Sequence, residues 1–296
     1  MRSQFVQTIS LLMPTDERLV LMLGDIGVFG FRHLLKYYPS RTYNIGILEQ
    51  ASVSLAAGLS MTGMIPVFHT IAPFIVERAY EQLKVDFGYQ NLNGNFVSVG
   101  ASYDYAGLGC THHCPADIGA LKLIPNMSIL CPGTSAEFDI LFKTGINLGG
   151  PKYFRLSEAQ NKGTQAVEFG KAQVLQKGGN GIVIAIGTML DRVLSACEGL
   201  DVSILYFTSI APFDSKALTA MIQSGERIVI CEPYYFEGGI TTNVVQAAQG
   251  KAISILNIGV PTIFSNHYGS LREHDALHRL DAESIALDIK KFLGNV

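Results

Sequence analysis

Glu49 heads the segment Glu-Gln-Ala-Ser-Val-Ser-Leu-Ala-Ala-Gly-Leu-Ser-Met, whose later residues are nearly all small or apolar. Burying a carboxylate costs several kcal/mol unless it is paired. Two readings stay open: Glu49 favours a helix N-terminus electrostatically, or it is a buried acid kept to exchange a proton with a bound heterocycle. Phe74 and Arg78 stand four residues apart in Phe-Ile-Val-Glu-Arg, where the bland alternatives are a core ring and a solvated charge. The densest polar cluster is Gly107-Leu108-Gly109-Cys110-Thr111-His112-His113-Cys114. Two cysteines around two histidines invite zinc, but no second ligand pair follows at zinc-finger spacing. Paired histidines in a glycine-bearing loop after a strand are better placed to meet a substrate. Gly24-Asp25-Ile26-Gly27 reads as a strand-to-loop turn, and Gly238-Gly239 as either an anion-binding helix start or a close helix–sheet contact. No Gly-x-Ser-x-Gly occurs, and the five cysteines lack an activating signature.

The elements that must position these residues alternate from end to end. Strands are expected at 19–23, 42–45, 65–68, 96–99, 128–130 and 153–156, with helices at 31–38, 49–61, 74–89, 116–123 and 136–148 between or after them. Helix 49–61 carries small and apolar residues around nearly its whole circumference, which predicts burial on all sides. Residues 157–170 are polar and aperiodic, and a domain boundary is expected there. A second set follows, with strands at 181–186, 202–207, 227–231 and 252–258 and helices at 190–200, 215–224, 240–248 and 282–293. The fold class is therefore α/β, with two doubly wound domains, 1–160 and 170–296, each a mostly parallel sheet covered by helices. There is no internal repeat and no low-complexity tract.

The 296 residues suit two medium domains. A net charge of −3 and a pI near 6.2 provide no basic footprint for nucleic acid. No apolar stretch reaches membrane-spanning length, and the N-terminal segment around 5–13 reads as a helix and not a signal peptide. An odd number of scattered cysteines points to a reducing, cytoplasmic setting. The positive mean hydropathy of +0.26 fits either buried parallel strands or a large apolar surface hidden against another subunit.

In order along the chain, Gly-Asp-Ile-Gly (24–27), Asn-Ile-Gly-Ile-Leu-Glu-Gln (44–50), Ala-Pro-Phe and Arg-Ala-Tyr-Glu-Gln (72–82), Gly-Leu-Gly-Cys-Thr-His-His (107–113) and Ile-Pro-Asn-Met (124–127) resemble the pyrimidine-binding domain of transketolases and deoxyxylulose-phosphate synthases. The resemblance continues through Glu232 and Gly238-Gly239 into that family's C-terminal domain and so covers nearly the whole chain. It implies a thiamine-diphosphate enzyme that moves a two-carbon ketol unit between sugars or sugar phosphates. Glu49 would bond the aminopyrimidine and control the proton leaving the thiazolium carbon, with Phe74 stacked on that ring and Asp25 and Ile26 lining the cofactor. His112 would bond substrate oxygens as a catalytic residue, with His113, Arg78 and Arg155 as substrate-binding neighbours. The Gly-Asp-Gly and paired-asparagine motif for diphosphate and Mg2+ is not met, because Ile26 replaces the second glycine and Asn44 stands alone. The resemblance thus implies a separate N-terminal, diphosphate-binding partner subunit that holds the metal, and self-association across a two-fold axis.

Other departures concern the substrate. Leu108 stands where the family has an acid, Ile71 where an aromatic is usual, and Glu158 and Gly100 where many transketolases place a phosphate-binding arginine and histidine. The acceptor is therefore expected not to be an ordinary terminal aldose phosphate, unless Arg155 takes over the missing arginine's work. Two alternatives remain: the beta subunit of a 2-oxo-acid dehydrogenase, against which Thr111-His112-His113 speaks, and a non-catalytic doubly wound binding subunit.

Overall fold

The structure, a computed structural model, describes residues 1–294. Its strands are β1 (Leu19–Leu23), β2 (Thr42–Asn44), β3 (Ile65–Ile71), β4 (Gly94–Val99), β5 (Ser128–Leu130) and β6 (Pro151–Arg155), then β7 (Ala172–Gln176), β8 (Ile182–Ile186), β9 (Ser203–Phe207), β10 (Ser209–Ala211), β11 (Glu226–Tyr235) and β12 (Ile253–Val260). They form a seven-stranded sheet, β10-β5-β6-β4-β3-β1-β2, and a five-stranded sheet, β12-β11-β8-β9-β7. Every pairing is parallel except those of the edge strands β10 with β5 and β7 with β9. Helices cover both faces, so β1, β4, β6 and β8 are buried along their whole length; β1 and β8 are unbroken apolar runs, while β4 and β6 also bury polar residues such as Asn95, Ser98, Lys152 and Arg155. The expected α/β class with two mostly parallel sheets is what the chain adopts.

Several expected elements change. β10, from the second half of the chain, joins the first sheet. The expected helix 74–89 is broken into wide π-turns at Phe74–Arg78 and Leu83–Tyr89 around a short α-turn, Tyr80–Gln82. Helix Glu49–Met61 has the expected length but not the expected burial. Glu49, Ser52, Val53, Ala56 and Ala57 face the core, while Ala51, Ser54, Leu55, Gly58 and Met61 are exposed. Two core clusters, one on each face of the sheets, run through both halves. In one, Phe5 of helix Arg2–Leu12 meets Phe138 and Phe142 of helix Ser135–Gly145 at ring distances of 6.0 and 5.7 Å, and the same cluster reaches Val183 and Val229. Each such fully buried ring contributes about 1.5–3 kcal/mol. No helix among the described residues is long and apolar enough to cross a membrane.

The winding of the first sheet decides where a site can lie. From β1 the chain moves outward to β2, then returns to the opposite side of β1 as β3. The carboxyl ends of β1 and β3 therefore flank a topological switch point, where loops diverge and leave a crevice.

Candidate active site

Four loops meet at that crevice: residues 24–27 after β1, 45–48 after β2, Ala72-Pro73 after β3, and the long segment 100–116 after β4. Asp25 takes a left-handed φ of 57° inside the first turn. Its backbone N–H donates to Asn44 Oδ1 at 3.1 Å, and Asn44 Nδ2 donates back to Asp25 Oδ1 at 2.8 Å. Asp25 and Asn44 thus hold the ends of β1 and β2 together. Gly24 is needed by packing, since a Cβ there would lie 2.8 Å from Thr70 Oγ1. Next to it, half-buried Ile26 turns onto the core.

Glu49 occupies the first turn of its helix, where the partial positive charge of free N–H groups favours a carboxylate. Its side chain is fully buried. Arg78 Nη1 donates to Oε2 at 2.5 Å, and Thr70 Oγ1 donates to Oε1 at 3.2 Å. Glu49 therefore both starts the helix and is a buried, paired acid. The Arg78 guanidinium also lies over the Phe74 ring, 4.1 Å from its centroid, within cation–π range. Phe74 is half-buried and meets His112 at 5.2 Å and 67°, an edge-to-face contact. His112 in turn stands 6.4 Å from Tyr105 and shares a 3.0 Å hydrogen bond between Nδ1 and Thr111 Oγ1. Burial, with smaller contributions from His113 and Arg78, lowers the His112 pKa. The imidazole is thus neutral near pH 7 and free to donate or accept a hydrogen bond. Glu49, Arg78, Phe74 and His112 form one continuous chain of contacts.

The remaining expected residues go elsewhere. His113 points inward, with Nε2 3.1 Å from Ala106 O and its ring edge-on to Tyr103 at 4.9 Å. Arg155, expected near substrate, is instead buried: Nε donates to Asp117 Oδ2 at 2.7 Å, Nη2 donates to Ser102 Oγ at 2.6 Å, and the guanidinium lies over Tyr234. With Nε and Nη2 bonded inside the protein and only 4% of its side chain exposed, it does not replace a phosphate-binding arginine at the surface. Thr70 and Tyr105 were not anticipated. Glu158 and Gly100 do come together, lining a cavity of about 170 Å³ with Arg2, Ser3, Tyr105 and Ser157. Among the described residues, no group of three or more His, Cys, Asp or Glu side chains is gathered to hold a metal ion.

A crevice at a sheet's switch point is where doubly wound folds take ligands, and here a buried acid, an aromatic and a histidine converge on it. Residues 1–162 match the family described as transketolase, pyrimidine binding domain, and residues 170–285 match transketolase, C-terminal domain. The chain belongs to the transketolase family. It is 38% identical over 297 residues to an uncharacterized 33.6 kDa protein in the fasciation locus of Rhodococcoides fascians, covering 99% of this chain and 95% of that one. It is 32% identical to one of the subunits of the apulose-4-phosphate transketolase of Actinobacillus succinogenes, covering 85% of this chain and 84% of that one. Among solved structures, a split gene transketolase described as an inactive beta4 tetramer superposes with a TM-score of 0.87 at 23% identity, over 99% of this chain and 98% of that one.

Proposed function

We propose that this chain is the pyrimidine-side and C-terminal subunit of a split, thiamine-diphosphate-dependent transketolase, and that it transfers a two-carbon ketol unit between sugars. The observation that carries this reading is the fully buried Glu49 carboxylate, bridged by Thr70 and by an Arg78 that is itself 37% exposed, beside Phe74 and His112. An aminopyrimidine needs an acid for its ring nitrogen and an aromatic neighbour, and this donor set supplies both. Glu49 would hold the proton at that nitrogen, Phe74 would flank the ring, and Asp25 and Ile26 would line it. When bound, thiamine diphosphate supplies the carbanion chemistry. Neutral His112 would bond substrate oxygens and move a proton there.

Asp25 and Asn44 hydrogen-bond each other, so in this reading diphosphate and Mg2+ belong to a partner subunit. The Actinobacillus relative is named as one subunit of its transketolase, in keeping with such a division. The exposed face of helix Glu49–Met61, with Ala51, Ser54 and Gly58 uncovered, suits close approach by another chain. The reading also places self-association across a two-fold axis, in the cytoplasm. That relative is named for a phosphorylated sugar, whereas Glu158 and Gly100 here argue for an acceptor without a plain terminal phosphate.

The test is to mix the chain with a diphosphate-binding transketolase subunit, thiamine diphosphate and Mg2+, and to follow ketol transfer from a ketose donor to an aldose. Turnover should need both subunits. Transfer by the single chain, or turnover of 2-oxo acids in place of ketoses, would overturn the proposal.

A further inference from the structure

Behind the loop that carries His112 lies a second cavity, of about 260 Å³, between the first half and the segment 262–265 that follows β12. Its walls are mostly apolar. Tyr103, His113, Tyr235 and Phe264 contribute four rings, and Pro115, Ala116 and Ile263 add aliphatic surface. The walls are also anchored: the Tyr103 ring is stacked 4.0 Å from His274 with only 7° between planes, and Tyr235 donates its hydroxyl to Ile263 O at 3.0 Å.

Two polar features of this cavity are poorly partnered among the described residues. Glu77 stands at its mouth, and its only hydrogen-bond contact there is the weak Cys114 thiol donor, 4.0 Å away. The Tyr103 hydroxyl is buried, on a side chain only 3% exposed, and finds no hydrogen-bond partner among the described residues. It lies within electrostatic reach of Tyr235 and Cys110, both of which line the cavity. The lining includes no lysine or arginine, and the neighbouring Arg78 is committed to Glu49. Just outside the lining a second carboxylate, Glu237, accepts from Oγ1 of the lining residue Thr262 at 2.6 Å. The cavity is thus acidic at its edge and aromatic inside, the reverse of what a sugar phosphate needs.

From this charge and ring pattern we propose that the cavity is a separate binding site for a small organic cation, an arylalkyl amine whose ring lies among Tyr103, Tyr235 and Phe264. Its ammonium group meets Glu77, and the Tyr103 hydroxyl donates to the ring or its substituent. Aromatic walls with one carboxylate bind such cations through cation–π and charge-assisted contacts. Occupancy would brace the loop 107–114 and the turn Phe74–Arg78 from behind, since each contributes a wall.

The chain contains no tryptophan, so the fluorescence of an indole ligand, excited beyond the tyrosine band, is read without tryptophan background. Tryptamine titrated with the purified chain should show a saturable rise in anisotropy with a dissociation constant below about 1 mM. Indole-3-acetate, with the same ring and opposite charge, should bind at least about tenfold more weakly. Glu77→Gln should bring the two ligands to similar affinity, and Tyr103→Phe should weaken tryptamine several-fold. Equal binding of the two indoles by the native chain, or tryptamine affinity unchanged by Glu77→Gln, overturns the proposal. If the Glu77 variant does not fold, Ala116→Leu provides the decision: it fills the cavity without altering charge, and must abolish tryptamine binding for the site to stand. The assay needs neither thiamine diphosphate nor a partner, so its failure is distinct from failure of the transketolase reading.

Discussion

The first half of the chain contains two buried carboxylates that each hold one guanidinium, and they behave as different objects. Glu49 and Asp117 are both fully buried, with ion-pair distances of 2.5 and 2.7 Å. They differ in the arginine, since Arg78 is 37% exposed and Arg155 4%. Arg78 can swing into water and leave Glu49 to a ligand, because its charge regains hydration when the pair opens. Arg155 has nowhere to go: opening its pair strands two ions in the interior, and the cost of an unpaired buried charge locks it shut. Distance alone does not separate a pair that can open to a ligand from one that cannot; the exposure of the counter-ion does.

The largest effect expected from this contrast is chemical. In the reconstituted enzyme, Glu49→Gln should slow deuterium exchange at the thiazolium carbon by about 10²–10⁴-fold, the usual range for losing a positioned acid or base. Stability should change by less than about 1 kcal/mol, because exposed Arg78 needs no partner. Exchange at the native rate would remove Glu49 from the mechanism. Asp117→Asn should do the opposite. It leaves Arg155 buried without a counter-charge and should lower unfolding free energy by about 3–5 kcal/mol in a urea titration. A loss under about 1 kcal/mol would mean that water reaches Arg155 and that the contrast is false.

Glu232 in the second half sharpens the same point, since it is buried with no ion pair among the described residues. Ile240 N–H donates to its Oε2 at 3.2 Å, while Oε1 finds no hydrogen-bond partner among those residues. Burial raises its pKa from 4.5 to about 8. The folded chain therefore holds this proton more tightly than the unfolded chain, so the associated stability is complete below pH 4.5 and is lost as pH rises through about 8. Glu232→Gln should shrink the fall in stability between about pH 5 and pH 8.5, by on the order of 2–4 kcal/mol. An unchanged pH profile in denaturant titrations would show that water solvates this carboxyl.

How far these regions were readable from sequence follows from what each residue depends on. Strand Leu19–Leu23 and helices Glu49–Met61 and Ala282–Leu293 were expected at their observed bounds, because local period and end signals specify them. The edge strands Ala172–Gln176 and Ser209–Ala211 were missed, since pairing on one side alone requires no apolar run. Helix Leu271–Leu277 was missed although Ser270 and Glu273 form a capping box, a signal visible in the sequence. Burial of helix Glu49–Met61 was overestimated because small residues such as Ala51 and Gly58 look alike in a core and on a face awaiting another chain. At the site, Glu49, Arg78, Phe74 and His112 touch in turn. Thr70 carried no signal, as its role depends on β3 lying beside the start of a helix 21 residues earlier. Arg155 was misplaced for a related reason: a lone arginine at the end of a strand, just before a polar stretch, does not reveal that Asp117, 38 residues away, will seal it inside.

The smallest expected effect tests whether the open region extends to the acceptor's far end. Next to His112, past Tyr105, lies the cavity that Gly100 and Glu158 share with Arg2, Ser3 and Ser157. A phosphate needs matched positive charge once water is removed. Here Arg2 and Glu158 line one cavity, and the half-buried Asp104, whose pKa burial pushes up to about 6, is bonded next to it: it accepts the backbone N–H groups of Ala101 and Glu158, each at 3.0 Å. Above about pH 6 two carboxylates, Glu158 and Asp104, stand against Arg2 and the Met1 amine, so the cavity offers a phosphate dianion no net positive charge, while a neutral hydroxyl can pair with Ser157 or Tyr105. In the reconstituted enzyme, ribose and erythrose should therefore show higher kcat/KM than ribose 5-phosphate and erythrose 4-phosphate. Glu158→Gln should raise kcat/KM for the phosphates by about 3–10-fold, corresponding to roughly 1 kcal/mol from one partly screened charge. The neutral sugars should be unaffected, and the gain should shrink at high salt. Faster turnover of the phosphates by the native enzyme, together with a further loss in Arg2→Ala, would show that Arg2 alone builds the phosphate site and that Glu158 turns away from it.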